Sequence, residues 1–156
     1  MKEKDVPIQF HYQTAKFFFP LRNELKRFIL GQLLKEGKRV DSINYIFCND
    51  AYLLQINQQY LDHDTLTDII TFELSPKGQP LLSDIYISIE RVRENAKTYH
   101  SSFTKELRRV LFHGALHLAG YKDKTKEQEK EIRLKEEEYL GAFAVSRRTV
   151  SSRNKM

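Results

Sequence analysis

The chain has 156 residues, of which 40% are hydrophobic and 30% are charged, and its net charge is +5. This composition excludes a disordered or fibrous chain and is typical of one globular domain with a core. No apolar run approaches the roughly 18 to 20 residues that span a membrane, and the single Cys48 cannot form an internal disulfide, so we expect a protein of the reducing cytoplasm.

The first half of the chain predicts two strands, each followed by a helix. Short apolar runs indicate strands, and apolar residues three or four apart indicate helices. Proline suits the first turn of a helix and glycine suits its end. The predicted elements are a strand at residues 6–10, a helix from Pro20 to Gly37, a strand at 40–48, a helix capped by Asn49 or Asp50, and a polar loop at 61–66.

The second half predicts two strands and three helices. Ile85 and Ile87 alternate with Asp84 and Tyr86, so the two pairs face opposite sides of a sheet. The predicted elements are strands at 68–74 and 82–89 joined by a turn at 75–78, a helix at about 90–100, a helix capped by Thr104, and a helix from a capping box at 125–128 to Gly141. We expect an α+β or α/β fold, a single domain whose four-stranded mixed sheet packs against five to six helices.

The positive charge is concentrated at the C-terminus. Residues 146–156 contain four basic residues and no acid, which leaves a net charge of +1 for residues 1–145. We expect one folded domain over residues 1–145 and a basic, disordered tail over 146–156. The tail could contact phosphates or only keep the protein in solution, so charge alone does not establish RNA binding.

The helix capped by Thr104 carries the most informative residues, His113 and His117. Residues four apart on a helix lie on one face, so the two imidazoles can share one metal ion. Gly120 suits the left-handed position that ends a helix, after which the chain can return and offer Asp123 as a third ligand. Three protein ligands leave one position for water or substrate, as in catalytic metal sites.

Two neutral core histidines, each hydrogen-bonded to a carbonyl, are the alternative explanation of this pair. The apolar surroundings favour the metal, since an unpaired buried imidazole would cost about 1–3 kcal/mol. Gly114 leaves room beside His113 for substrate or backbone. Gly114 also stands where zinc proteases of the His-Glu-x-x-His type carry their general base, which argues against peptide hydrolysis.

The segment His113-Gly-Ala-Leu-His-Leu-Ala-Gly-Tyr-Lys-Asp123 resembles the His-Gly-x-Leu-His signature of the YbeY-type rRNA maturation endoribonucleases. Residues 56–60, 67–72 and 84–88 are similar to further segments of that family. The resemblance implies that residues 1–145 form a metal-dependent hydrolase domain with single-strand-specific endoribonuclease activity. It also implies roles in 16S rRNA 3′-end maturation and ribosome quality control, with rRNA and the small ribosomal subunit as partners in the bacterial cytoplasm.

The chain departs from the family pattern at three positions. Asp123 stands where the resemblance implies a histidine ligand, so His113, His117 and Asp123 would hold one divalent metal, with Zn²⁺ expected and Fe²⁺, Mn²⁺ or Ni²⁺ as alternatives. Leu61 stands where the family often has an arginine that is thought to serve RNA cleavage. Ser83 replaces a glycine.

Three residues are candidates for catalysis beside the ion. Arg109 lies four residues before His113 on the same helical face, where it could stabilise developing negative charge or pair with a neighbouring carboxylate. Asp68 and Asp84 sit at strand positions that could face the site. Either could orient an imidazole, act as general base or cap a strand end.

Four other polar residues have weaker claims. Lys122 and Lys124 flank Asp123 and could contact an RNA backbone or form a solvated loop. His63 and His100 are expected to be surface histidines.

Two other functions remain open. A ribosome-assembly factor with a mainly structural metal would use the same ligands, and Leu61 favours it slightly. A metal-dependent hydrolase of another substrate, such as a peptide or small ester, is the third hypothesis, and Gly114 counts against a peptidase.

Overall fold

The computed structural model describes residues 5–14, 16–61 and 67–154, with the backbone alone for residues 148–154. Strands and helices alternate through the first half of the described chain, and three helices end it. The elements are β1 (Ile8–Tyr12), α1 (Arg22–Lys35), β2 (Val40–Cys48), α2 (Asp50–Leu61), β3 (Ile69–Glu73), β4 (Leu81–Ser88), α3 (Ile89–Thr98), α4 (Phe103–Leu118) and α5 (Lys126–Asn154).

The four strands form one mixed sheet in the order β1-β2-β4-β3. β1 is parallel to β2 and β2 is parallel to β4, whereas β3 is antiparallel to β4. Gly78 has a φ of +87° and lies in the predicted turn between β3 and β4. The predicted single domain with a four-stranded mixed sheet is confirmed, and the five helices of the described residues fall within the expected number.

Side chains alternate between two faces of this sheet. The inner face carries Tyr45, Ile85 and Ile87, which are fully buried and belong to the same core cluster as the apolar residues of α1 and α4. The outer face carries Asn44 and Asp84, which are paired across β2 and β4. Helix α2 packs on another part of the outer face.

Gly114 lies where α4 approaches the inner face of the sheet. A Cβ atom at this position would lie 3.1 Å from Cδ1 of Ile69 and 3.3 Å from Cδ1 of Ile85. Such contacts are tighter than ordinary packing, so the glycine allows a close approach of helix and sheet. The sequence left open whether substrate or backbone used this space, and the structure assigns it to the apolar side chains of β3 and β4.

Two helices begin elsewhere than predicted. Pro20 precedes α1 instead of occupying its first turn, because Leu21, with a φ of 64°, turns the chain between the buried Phe19 and the helix. Helix α4 is capped by Ser102 and not by Thr104, since the Ser102 side chain accepts a hydrogen bond from the backbone N–H of Lys105.

The sequence predicts that helix α5 ends at Gly141, but the helix continues to Asn154. A glycine inside a helix costs about 1 kcal/mol, and burial of Phe143, which is 2% exposed, stabilises the following turn by about 1.5–3 kcal/mol. The helical backbone therefore covers residues 146–154, where we expected a disordered tail. The division of the chain into a domain ending at 145 and a tail stays a prediction.

Helix α2 leads into the predicted polar loop. Asn49 caps it by accepting a hydrogen bond from the backbone N–H of Tyr52 at 2.8 Å. The helix ends at Leu61, which is exposed. Residues 62–66, which include His63, lie outside the described residues.

Two expectations from composition can be compared with the structure. Cys48 is buried, its thiol donates to the carbonyl oxygen of Ile87, and burial raises its pKa to about 12. The thiol is therefore unreactive, as expected. Among the helices of the described ranges, none has both the length and the apolar character needed to cross a bilayer.

Candidate metal centre

His113 and His117 lie one turn apart on α4, and Asp123 reaches them from the loop that follows this helix. Gly120, with a φ of +108°, turns the chain back after the helix end, as predicted. The two Nε2 atoms are 3.0 Å apart, and Oδ2 of Asp123 lies 3.2 Å from Nε2 of His117 and 3.4 Å from Nε2 of His113. The structure thus brings the three predicted ligands together.

Each imidazole is also held through its other ring nitrogen. Nδ1 of His113 lies 2.5 Å from Oε2 of Glu136, and Nδ1 of His117 lies 2.9 Å from the carbonyl oxygen of Tyr121. An ionised carboxylate and a carbonyl accept hydrogen bonds and cannot donate them, so each Nδ1 carries the hydrogen. In the neutral imidazoles, both Nε2 atoms then present a lone pair to the cluster.

This donor set fits a divalent cation. Three lone-pair atoms so close together repel one another unless a positive charge lies between them. Zinc bonds of 2.0–2.1 Å in a tetrahedral site imply ligand separations of about 3.3 Å, and the three separations here run from 3.0 to 3.4 Å. The side chains of His113 and His117 are 17% and 26% exposed, so the cluster also opens toward solvent.

Two buried carboxylates behind His113 were missed by sequence reasoning. Glu136 and Glu106 are 1% and 3% exposed, and Arg109 lies between them. Its Nε and Nη2 donate to Glu106, and its Nη1 donates to Oε1 of Glu136 at 2.9 Å. Burial opposes ionisation of Glu136, but the hydrogen bond from His113 and the charge of Arg109 hold its pKa below the usual value.

A signal for Glu136 was present in the sequence. Glu136 follows Ile132 by four residues and precedes Tyr139 by three, and all three are buried on one face of α5. A carboxylate inside an apolar helical stripe needs a partner, and only the fold shows that this partner comes from α4.

Arg109 pairs with neighbouring carboxylates, which is one of the two roles predicted for it. All three of its guanidinium nitrogens have carboxylate partners, and its side chain is 13% exposed. Burial alone would lower the pKa of Arg109, but Glu106 and Glu136 raise it above the usual value. Direct contact between Arg109 and a substrate stays a prediction.

Asp68 lies at the edge of this ion-pair cluster, where β3 begins. Its Oδ2 is 3.8 Å from Nη2 of Arg109 and accepts a hydrogen bond from Asn95 at 3.3 Å. Burial raises the pKa of Asp68, and the charges of Arg109 and His113 offset this rise only in part. The expectation that Asp68 faces the site agrees with its position, and its role there stays a prediction.

Asp84 does not face the site, although its position in the sequence allowed this. It lies on the outer face of the sheet, where it accepts a hydrogen bond from Nδ2 of Asn44 at 3.2 Å, while α4 covers the inner face. Alternation along β4 explains this placement, because Ile85 and Ile87 point toward α4 and Asp84 therefore points away. The structure gives no support to a catalytic role for Asp84.

An open groove of about 1210 Å³ begins at the three ligands. Asp68 and Lys122 line it beside them, and it extends to the turn between β3 and β4. Lys124 is not among the lining residues of the described chain, and His100 is exposed, as expected. The three predicted ligands therefore line an open groove that an extended substrate can enter.

Comparisons with known proteins agree with this arrangement. The family model of endoribonuclease YbeY matches residues 10–144. The chain is 50% identical to endoribonuclease YbeY of Flavobacterium psychrophilum over 88% of this chain and 97% of that protein. It is 46% identical to the Flavobacterium johnsoniae protein of the same name, over 88% and 98%. The solution structure of TM1509 from Thermotoga maritima, 29% identical, matches with a TM-score of 0.64 over 92% of this chain and 95% of that one.

Proposed function

Since this chain belongs to the endoribonuclease YbeY family, it is an endoribonuclease, and we propose that it cleaves RNA with one divalent metal ion held by His113, His117 and Asp123. The observation that carries the metal dependence is the convergence of three donor atoms within 3.4 Å of one another. The hydrogen bonds at both Nδ1 atoms support it, because they leave the Nε2 lone pairs directed at one point.

Each imidazole is held by a group that is not one of the three proposed ligands. Glu136 holds the ring of His113, and the carbonyl oxygen of Tyr121 holds the ring of His117. A bound divalent ion supplies Lewis acidity toward a phosphoryl oxygen and lowers the pKa of a water molecule. Each Nδ1–H bond fixes one tautomer, so neither ring has to reorganise to present its Nε2 atom.

Arg109 acts in this proposal as a positioning residue. Its guanidinium pairs with both Glu106 and Glu136, which are nearly inaccessible to solvent, and offsets part of their negative charge. Without that charge, two buried carboxylates would lie close together and one would take up a proton. Arg109 thereby keeps Glu136 ionised and able to accept the hydrogen bond from His113.

Asp68 is the proposed general base. It lines the groove beside His113 and is not one of the three ligands. A carboxyl group whose pKa is raised by burial accepts a proton more readily than an ordinary aspartate. Asp68 would take the proton that the attacking oxygen loses.

The proposal also specifies the metal ion, the RNA substrate and the cell compartment. We propose Zn²⁺ as the ion, with Fe²⁺, Mn²⁺ and Ni²⁺ as competitors because one of the ligands is a carboxylate. The proposed substrate is rRNA, at the 3′ end of 16S rRNA, on the small ribosomal subunit in the cytoplasm. The names of the relatives support an RNA substrate.

A metal-depletion experiment tests the proposed function. The protein without a histidine tag is stripped with a chelator, reloaded separately with each of the four ions, and incubated with single-stranded RNA. We expect cleavage to disappear on stripping and to return on reloading, but not in a reloaded His117→Ala variant.

Three outcomes would contradict the proposal in different ways. Full cleavage by the stripped protein would show that the ion is not needed. Binding of rRNA without cleavage by the reloaded protein would favour the assembly factor with a structural metal, which the exposed Leu61 in place of an arginine also favours. Hydrolysis of a peptide or ester, with RNA left intact, would favour another hydrolase.

A further inference from the structure

The groove beside the three predicted metal ligands is lined by basic residues from separate segments of the chain. Lys38 and Arg39 lie on the connection between α1 and β2, and Lys77 lies on the turn between β3 and β4. The metal ligand Asp123 and its neighbour Lys122 lie on a third segment that lines the same groove. Three segments that are distant in sequence therefore place cations around one channel.

The basic side chains of the groove can be compared with a surface ion pair of this chain. Lys97 on α3 pairs with Glu94 at 3.6 Å. Among the ion pairs of the described residues, none involves Lys38, Arg39 or Lys77. Their charges are available to a ligand that enters the groove.

Three carboxylates line the same groove, and two of them have other partners. Asp123 belongs to the ligand cluster, and Asp68 faces Arg109. Glu73, at the end of β3, is the third and lies four residues before Lys77 in the chain. The groove away from the ligands is thus dominated by positive charge, with Glu73 as the opposing group.

We propose that this groove binds the backbone of a single RNA strand, with Lys38 and Arg39 from the connection between α1 and β2 and Lys77 from the turn between β3 and β4 contacting its phosphates. The inference rests on the proposed function, because it gives the path of that substrate away from the three ligands. A concave cationic channel follows the backbone of a flexible single strand, whereas duplex RNA is recognised by its shape across two minor grooves. The strand follows these cations along the groove and reaches the three half-buried ligands.

Salt-dependent binding of RNA tests this path. Because the metal-loaded protein is expected to cleave the probe, the parent stripped with a chelator is compared with an equally treated triple variant, Lys38→Gln, Arg39→Gln and Lys77→Gln, by fluorescence anisotropy. The probe is a labelled single-stranded RNA of about ten nucleotides, a length within the range of known single-strand sites, and a gel confirms that it stays intact. Each lost phosphate contact lowers the slope of log K against log salt by about 0.7, so we expect the slope to fall by about 2 and the affinity to fall on the order of 100-fold near 0.1 M salt.

Two further variants separate the groove from overall charge. The first is a control triple variant with the substitutions Lys16→Gln, Lys97→Gln and Lys105→Gln. It removes the same number of charges from exposed positions that do not line the groove. We expect this control to lower the slope by less than 0.7. Glu73→Gln removes the opposing charge and should tighten binding several-fold, which loss of folding would not do.

The outcomes distinguish this inference from the proposed function. If the groove variant binds like the parent, or if both triple variants lose affinity equally, the path is wrong, whether or not the parent cleaves RNA. Tighter binding of duplex than of single-stranded RNA would also overturn it. If the parent binds through the groove but the metal-loaded protein does not cleave, the path stands and the proposed function fails.

Discussion

The two sides of the proposed metal centre are built differently. On the helix side, His113 is 17% exposed and is held from behind by Glu136, which is 1% exposed and paired with Arg109. On the loop side, Asp123 is 42% exposed and follows the turn at Gly120. The helix side is therefore fixed by the packing of α5 on α4, whereas the loop side depends on a surface segment.

This difference indicates how the site divides its tasks. Buried ion pairs hold a ring in one orientation, but they are costly to break because removal of one partner leaves a buried charge. An exposed ligand can be exchanged at little cost to the fold, because its surroundings relax into solvent. The helix side should therefore fix the orientation of His113, and Asp123 on the loop side should determine which ion is preferred.

The largest effect is expected from removing the helix-side ligand. His113→Ala takes away one of the two imidazoles of the proposed ligand set, so RNA cleavage should fall to background. The measurement is the initial rate of cleavage of single-stranded RNA by protein loaded with Zn²⁺. His100→Asn is the matched control, because His100 has a φ of 54°, which asparagine tolerates, and we expect it to keep the parental rate. Comparable losses in both variants would contradict the assignment.

Asp68→Asn tests the proposed general base without replacing one of the three proposed ligands. Loss of a general base costs on the order of 100-fold or more in rate, while metal content should stay at the parental level. In the parent, cleavage should fall with decreasing pH, because protonation removes the base. Since burial raises the pKa of Asp68, this fall should begin at a higher pH than an ordinary aspartate would give.

The measurement is the rate of cleavage against pH at saturating metal, with metal content determined at each pH. Asp68→Asn should lose the acidic limb as well as the rate. A variant that keeps the parental rate and pH profile would rule out Asp68 as the base.

Glu136→Gln should weaken metal binding, because Nδ1 of His113 loses its charged hydrogen-bond partner. Loss of an outer partner of a metal-bound histidine costs about 10- to 100-fold in metal affinity or activity. Glu137→Gln is the matched control, since Glu137 is the exposed neighbour on the same helix. Competition with a zinc chelator measures both affinities. Equal affinities in the two variants would show that the buried side does not orient His113.

The smallest effect is expected on the loop side. Asp123→His gives the ligand that the family resemblance implies, and the exposed loop can accept it. The variant should keep metal and activity and should prefer Zn²⁺ over Fe²⁺ several-fold more than the parent does. Loading with mixtures of the two ions measures this preference. Loss of metal would argue against Asp123 as a ligand.

The same division explains what could be predicted from the sequence. His113, His117, Gly120 and Asp123 lie within eleven residues, so helical spacing and a glycine stop were enough to bring them together. Glu136 lies 23 residues from His113 and reaches it only because α5 folds back on α4. Local spacing holds no information on that contact.

Two other errors have similar causes. The alternation along β4 correctly separated Ile85 from Asp84, but it could not show which face α4 would cover. The low helix propensity of Gly141 predicts a helix end, but the burial of Phe143 overrides that propensity.

Elemental analysis of the protein purified without a histidine tag tests the central claim most directly. The parent, exposed to a slight excess of Zn²⁺ and then desalted, should retain about one ion per chain, and the His113→Ala variant treated in the same way should retain less than about one-tenth of that amount. Full occupancy in the variant, or none in the parent, would contradict a metal centre formed by His113, His117 and Asp123.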